Sequence, residues 1–391
     1  MVGVEKGTVK CFMKKRGCMC QLYRCVVGIE KRGWNMITIS LCMIVKNEEK
    51  VLKRCLESIK DAVDEIIIVD TGSTDSTKKI AQKYTDKVYD FQWINDFSAA
   101  RNEAFSKAKM DYQMWLDADD VFPKESLDKL IQLKASLDTN VDIVTMKYIT
   151  HFDESGAPIM SSTRERLIKR EKNCKWTDPV HEFISLTGNI LYSDIEVHHL
   201  KPKQEGRSRR NLEIYTTLEK SGAELTPRQM YYYARELKDH SLWVNSIYYF
   251  EKFLDSCKGW VEDNIAACYS LSICYEALND RKKILPILLK SFNYDAPRAE
   301  ICTEIGYYYK RQNNFTQALK WFKIAADLDV PTSAGFILWD YWGYIPSVEC
   351  CVCSYKLGAI EEAKLFNEKA AKYKPNSAAV GHNRKILEEA S

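Results

Sequence analysis

The sequence predicts two unlike folded units in series: an α/β domain on a Rossmann-like sheet over residues 36–205, then an all-α array of helical repeats over residues 206–391. Three observations predict this. Up to about residue 200, short apolar runs alternate with amphipathic stretches and stop at polar turns, the pattern of strands and helices laid in turn on a sheet. From about Arg207 onward the strand signals fade and a helical period takes over. In that second half, small, aromatic and proline positions recur about every 34 residues. With 391 residues, 46% hydrophobic and 28% charged, the chain can bury more than one core, which excludes wholesale disorder, collagen and coiled coil.

Residues 1–35 carry eight Lys or Arg against two Glu and show no periodicity. They read as a basic leader with Met36 as the natural start; the rival is a short helical arm packed on the body. Cys25 to Ile29 is too short an apolar stretch for a secretory signal. The leader accounts for the formal charge of +3, so the folded part is mildly acidic and no nucleic-acid partner is expected. The longest apolar run, Ile37 to Val45, is strand-sized, so no transmembrane segment is expected and the cytoplasm is the expected location. Fourteen cysteines, among them Cys42, Cys268, Cys274 and Cys302 in apolar periodic segments, read as reduced buried thiols. Cys18/Cys20 and Cys350/Cys351/Cys353 lack a second pair at zinc spacing.

The first domain opens with a buried strand, Ile37 to Val45, and a helix, Glu48 to Lys60, with Val51, Leu52, Cys55, Leu56 and Ile59 on one face. A second strand, Glu65 to Asp70, stops at the turn Thr71-Gly72-Ser73-Thr74-Asp75, where Gly72 gives backbone freedom and Asp75 reads as the cap of a helix over Ser76 to Tyr84. A helix over Ala99 to Lys109 precedes a strand, Tyr112 to Leu116, that runs into Asp117-Ala118-Asp119-Asp120; a further strand covers Asp142 to Ile149. Ligands of open α/β sheets sit beyond the carboxyl ends of strands. Lys46-Asn47-Glu48, Asp70 to Asp75 and Asp117 to Asp120 occupy those positions. Carboxylates as close as Asp117 and Asp119 repel one another, and a hard divalent cation is the natural compensator; an exposed acidic turn capping the next helix is the other reading.

Met43-Ile44-Val45-Lys46-Asn47-Glu48-Glu49, Ile68-Val69-Asp70-Thr71-Gly72-Ser73-Thr74-Asp75, Phe97-Ser98-Ala99-Ala100-Arg101-Asn102 and Leu116-Asp117-Ala118-Asp119-Asp120, in that order, resemble the family-2 inverting glycosyltransferases of the GT-A fold. Val45-Lys46 stands where many members carry Pro and an aromatic. The resemblance implies a UDP-sugar donor, with Glu48 and Asp70 on uridine and ribose, Arg101 on the diphosphate, and Asn47, Gly72 and Asp117 in the same donor motifs. It also implies Mg²⁺ or Mn²⁺ at Asp117 and Asp119, mostly on Asp119, with His199 completing the shell and His198 facing the other way.

Downstream, Lys175 to Phe183, Glu196 to Leu200 and Arg207 to Asn211 supply acceptor-side groups. An inverting transfer needs a base for the acceptor proton. Glu182 is the expected base, Asp178 the second choice and His181 an orienting partner; a plain polar turn is the bland reading. Arg209 and Arg210 would neutralise a leaving diphosphate, or else form a solvated helix start. The order His-Glu, His, Arg-Arg-Asn, then helical repeats is similar to bacterial peptide glycosyltransferases of the sublancin S-glycosyltransferase type.

Ile305-Gly306, Tyr309, Ala318, Phe322, Ala325 and Pro331 reproduce tetratricopeptide spacing, where small residues let two helices cross closely. Leu271-Ser272, Tyr275, Ile284, Leu288, Ser291 and Pro297 repeat it; Ala363, Ala370 and Pro375 end a later unit; Ala234, Leu237, Ser246, Phe250 and Phe253 suggest a degenerate earlier one. Trp339, Tyr341, Trp342 and Tyr344 belong to an insertion that would line an acceptor groove or mediate self-association into a homodimer. The sequence thus points to a metal-dependent inverting glycosyltransferase whose repeats help hold a peptide or glycan acceptor. The alternative is a helical-repeat scaffold with an inactive sugar-transfer domain.

Overall fold

A computed structural model describes residues 36–185, 187–202, 208–331 and 335–390. The leader at 1–35, with Cys18 and Cys20, and Arg207 lie outside the described residues. β1 (Ile39–Val45) is apolar at nearly every position because helices cover both faces of the sheet it centres. α1 (Leu52–Ile59) buries Leu52, Cys55, Leu56 and Ile59, one stripe of a 3.6-residue period. β2 (Glu65–Asp70), α2 (Thr77–Ala81) and β3 (Val88–Asp90) follow. α3 (Phe97–Lys107) begins at Phe97 rather than Ala99 because the Asp96 carboxylate accepts from the Ala99 N–H and caps the helix. Then come β4 (Tyr112–Trp115), β5 (Asp120–Val121), α4 (Lys124–Ser136), β6 (Ile143–Phe152), β7 (Pro158–Lys169), β8 (Trp176–Thr177), β9 (Phe183–Ile184) and β10 (Ile190–His199).

The main sheet runs β3-β2-β1-β4-β7-β6-β10-β5. Its first four strands are parallel, whereas β7 is antiparallel to both β4 and β6, so the sheet is mixed. The β6–β7 hairpin turns at Asp153, whose Oδ1 accepts from the N–H groups of Ser155 and Ala157. β5 pairs antiparallel with β10 so that His199 lies opposite Asp120. That register sets the metal-compatible cluster described below.

α5 (Arg210–Lys220) leads into the repeats. Four helical hairpins follow among the described residues: α6 (Pro227–Asp239) with α7 (Trp243–Asp255), α8 (Val261–Ala277) with α9 (Arg281–Lys290), α10 (Ala299–Lys310) with α11 (Phe315–Asp327), and α12 (Tyr344–Lys356) with α13 (Ile360–Tyr373); α14 (Ala378–Glu389) packs at the end. Thr226 and Gln229 form a reciprocal capping box at the start of α6, with Pro227 in its first turn. Gly306 shows why the repeat needs a small residue: a Cβ there would lie 2.5 Å from the Phe322 ring across the α10–α11 crossing.

The inserted segment is not a free aromatic surface. Its strand β11 (Phe336–Leu338) pairs antiparallel with Met160–Ser162 of β7, beside the part of β7 that the short β4 leaves uncovered. Trp339 Nε1 donates to Ser161 Oγ at 2.9 Å, the Tyr341 and Tyr269 hydroxyls lie 3.2 Å apart, and Trp342 is buried. The domains also share apolar packing, since Val180 from the first sits in the core built by α5 to α10, with Phe97 at its margin.

Candidate active site

A cavity of about 660 Å³ opens at the carboxyl ends of β1 and β4 and is closed on the far side by α5, α6 and Phe336. Nine of the expected site residues line it: Asn47, Glu48, Arg101, Asp117, Asp119, His181, Glu182, His199 and Arg210. Asp70, Gly72, Asp178 and Arg209 do not.

The loops after β1 and β2 brace each other. Asn47, at φ +55°, accepts from the Thr74 N–H at 2.8 Å, and its own N–H donates to Ser73 Oγ at 2.9 Å. Asp70 Oδ1 accepts from the Gly72 and Ser73 N–H groups, a turn that Gly72 permits with φ +103°. Asp70 Oδ2 is buried with no hydrogen-bond partner among the described residues. Asp75 Oδ1 accepts from the Thr77 N–H and braces the start of α2, which begins a residue later than read, with Ser76 at its cap position. Glu48 projects toward Asp117 and Asp119; burial and then these two carboxylates push its pKa up to about 7.

Arg101 is buried on α3 between the rings of Trp115 and Trp176, at 4.9 and 5.0 Å. Nε donates to Glu182 at 2.6 Å and Nη2 to Asp117 at 2.7 Å, while Nη1 has no hydrogen-bond partner among the described residues. Burial disfavours its charge, but the Asp117 and Glu182 carboxylates prevail and hold its pKa above the ordinary value. In return, against the cost of burial, Arg101 lowers Asp117 to about 2. Asp117, expected to share a metal with Asp119, is thus turned toward an arginine.

Among the described residues, the group with metal-ligand geometry is Asp119, Asp120 and His199, whose ligand atoms lie within 4.8 Å of one another. His199 Nδ1 lies 3.3 Å from Asp119 Oδ1 and 3.1 Å from Asp120 Oδ1. Burial, outweighing the attraction of His199, raises the Asp119 pKa, and the Asp117 and Asp120 carboxylates add to it. Asp119 and His199 face the cavity and the buried Asp120 stands behind them; two carboxylates and an imidazole this close suit a hard divalent cation. His198 points to the opposite face, with its ring 4.9 Å from Phe152 and Nε2 3.2 Å from Glu196.

Asp120 stood in the acidic run with no role assigned to it. It is fully buried; Oδ2 accepts from Arg166 Nη1 at 3.0 Å and from the Asp117 N–H at 3.1 Å, and Oδ1 from the Tyr148 hydroxyl at 2.9 Å. Arg166, equally buried, lies between the rings of Trp115 and Tyr148 at 3.8 and 4.4 Å. This network fixes the acidic turn from behind. Further lining residues not singled out in the sequence include Arg164 of β7, 4.9 Å from the Trp115 ring, and Arg228, Tyr232, Arg235 and Phe336 from the repeat half, which form the wall opposite. The tyrosine run at 231–233 was the one available signal for that wall.

On the acceptor side, Asp178 is drawn away from the cavity by α6: Gln229 Nε2 donates to it at 2.8 Å and Arg228 Nε lies 3.8 Å away. His181 Nε2 is 2.9 Å from Glu236 Oε1, also on α6. Arg210, exposed but set over the Phe97 ring at 4.5 Å, has its pKa lowered by partial desolvation against the pull of Glu182 and Glu48. Arg209 is exposed at the head of α5.

Residues 40–193 match the family model described as glycosyl transferase family 2. The amino-terminal unit is a family 2 glycosyl transferase domain. A TPR repeat-containing protein of Synechococcus elongatus is 36% identical over 152 residues, 39% of this chain and 36% of that protein. The SPbeta prophage-derived glycosyltransferase SunS of Bacillus subtilis is 28% identical over 297 residues, 72% of this chain and 68% of SunS. The chain therefore spans about a third of the first relative's length and about two thirds of the second's. Among solved structures, glucosyl-3-phosphoglycerate synthase of Mycobacterium tuberculosis in complex with Mn²⁺ and UDP-glucose matches at 15% identity and TM-score 0.33, over 49% of this chain and 81% of that one. The family 2 domain has the GT-A fold, and tetratricopeptide-like repeats follow it. No helix among the described residues is long and apolar enough to cross a membrane.

Proposed function

We propose that the chain is an inverting glycosyltransferase that moves a sugar from a UDP-sugar to a peptide side chain, with a cell-surface glycan precursor as the other acceptor class. The observation that carries this reading is one cavity in which Glu48, Asp119 and His199 face Lys201 and Arg210 at the ends of the parallel strands of a family 2 domain. Asp119, Asp120 and His199 would hold Mg²⁺ or Mn²⁺, which supplies Lewis-acid neutralisation of a nucleoside diphosphate. Arg210 and Lys201 add fixed positive charge of the kind a departing diphosphate requires. Arg101 keeps Asp117 ionised and in place, so the acidic turn does not collapse onto the cation site. Lys46, at the cavity edge where an aromatic would stack on the base, offers a charge in its stead. The relation to SunS, a glycosyltransferase that aligns through the repeats as well, supports an acceptor held by both domains.

The test is a panel of nucleotide sugars with Mn²⁺, read by thermal shift and by UDP release. Stabilisation by a UDP-sugar, with turnover lost in Asp119→Ala, is expected. Response to guanosine sugars alone would overturn the donor, and equal turnover by wild type and Asp119→Ala would overturn the site.

A further inference from the structure

The reaction needs a group that takes the acceptor's proton, and the domain junction offers a second candidate beside Glu182, the group expected from the sequence. Arg101 Nε donates to Glu182 Oε1 at 2.6 Å, a charged hydrogen bond that ties one of the two carboxylate oxygens to α3. His181 is differently placed. It lines the same cavity, its Nε2 is fixed 2.9 Å from Glu236 Oε1, and its Nδ1 has no hydrogen-bond partner among the described residues. Asn211 Nδ2 donates to the same Glu236 oxygen at 3.1 Å, and the Tyr232 ring stacks on the imidazole at 4.3 Å, so the ring is held in position and in plane.

The loop that carries His181 is clamped by the repeat domain. Gln229 bonds Asp178, Arg228 Nη2 donates to the His181 carbonyl at 3.2 Å, and the Tyr215 hydroxyl donates to the Val180 carbonyl at 3.2 Å. Asp178 and His181 both sit at positive φ, +75° and +54°, a conformation that costs a side-chain-bearing residue free energy and that this clamp maintains. A base with one nitrogen oriented by a carboxylate and the other open to the reacting group is the geometry that general-base chemistry requires.

We infer that His181 is the proton acceptor of the transfer and that Glu236, on the first repeat helix, is its positioning residue, so that the catalytic pair is completed across the two domains. This rests on the transferase reading above. In the step, a lone pair of the acceptor sulfur or oxygen forms the bond to the anomeric carbon as the carbon–oxygen bond to the diphosphate breaks. That bond's electron pair leaves on the diphosphate oxygen, and the acceptor's proton passes to His181 Nδ1. Glu236, bonded at Nε2, compensates the positive charge the ring gains. Its own pKa is held below the ordinary value, with His181 and Asn211 outweighing burial, which keeps it anionic for this role.

The experiment measures UDP release from the UDP-sugar that wild type turns over fastest, with Mn²⁺, first with water as acceptor and then with short Cys- and Ser-containing peptides. Full-length His181→Ala, Glu236→Gln and the double variant are compared, and UDP affinity by calorimetry reports whether each site is intact. We expect kcat to fall about 100-fold or more in His181→Ala and about 10-fold in Glu236→Gln, with UDP affinity within about twofold of wild type. The double variant should be no slower than His181→Ala, and added imidazole should restore part of the His181→Ala rate, which a purely structural role would not produce. Near-wild-type kcat in His181→Ala, a further loss on adding Glu236→Gln, or no rescue by imidazole overturns the inference and leaves the donor site standing. No UDP release from any nucleotide sugar by wild type would overturn the transferase reading, and the dyad with it.

Discussion

Replacing Arg166 by Met isolates the network behind the acidic turn. The substitution keeps most of the side chain's length but leaves Asp120 fully buried without the guanidinium that donates to its Oδ2 at 3.0 Å. Breaking a buried pair on one side costs about 3–5 kcal/mol because the remaining charge is uncompensated, and the contacts with Trp115 and Tyr148 are weakened as well. At about 2–4 °C per kcal/mol for a domain of this size, the first domain's transition should drop by about 10 °C. Arg166→Met/Asp120→Asn removes both charges and should be more stable than Arg166→Met alone, a coupling of at least about 1 kcal/mol. Calorimetric scans in EDTA, which separate the metal from the fold, measure all three. A single variant that loses less than about 1 kcal/mol, or a double variant whose losses simply add, would show that the pair does not hold the turn.

Asp119→Ala and His199→Ala should each weaken Mn²⁺ binding at least about 10-fold by electron paramagnetic resonance while the melting of the metal-free protein hardly changes. Gly306→Ala forces a Cβ against Phe322 and should cost about 1–3 kcal/mol in the repeat transition of a denaturant melt. Burial, against the pull of Arg228 and Arg235, raises Asp263 to about 6. Its folded form therefore holds a proton that the unfolded chain, with a pKa of about 3.9, has released; stability from this group is full below about pH 4 and falls as pH rises through about 6. Asp263→Asn should flatten that part of the pH–stability curve, measured by urea melts from pH 4 to 7.

Much of the first domain was legible because its strands are covered on both faces and must be apolar throughout. β2 ends at Asp70 as read, and Asp119 lies beside His199, the pair that the family resemblance implied. The β6–β7 hairpin was missed because β7 carries Arg164, Glu165 and Arg166 in its middle, charges that read as solvent-facing until Trp115 and Asp120 are seen around them. The dyad was hidden for another reason: His181 and Glu236 come from different domains, and no local period links them. The sequence offered Glu182 next door, and the structure adds that Arg101 engages one of its oxygens.

The three-residue ladder between β11 and β7 makes the two halves of the molecule mechanically one. Severing the chain ahead of the solenoid would strip Met160, Ser161 and Ser162 of their backbone neighbours on the side away from β6 and bare a sticky β-margin to other copies. An isolated sugar-transfer half should therefore clump, and attempts to engineer it as a free-standing module would need a charged or proline-bearing patch along that seam.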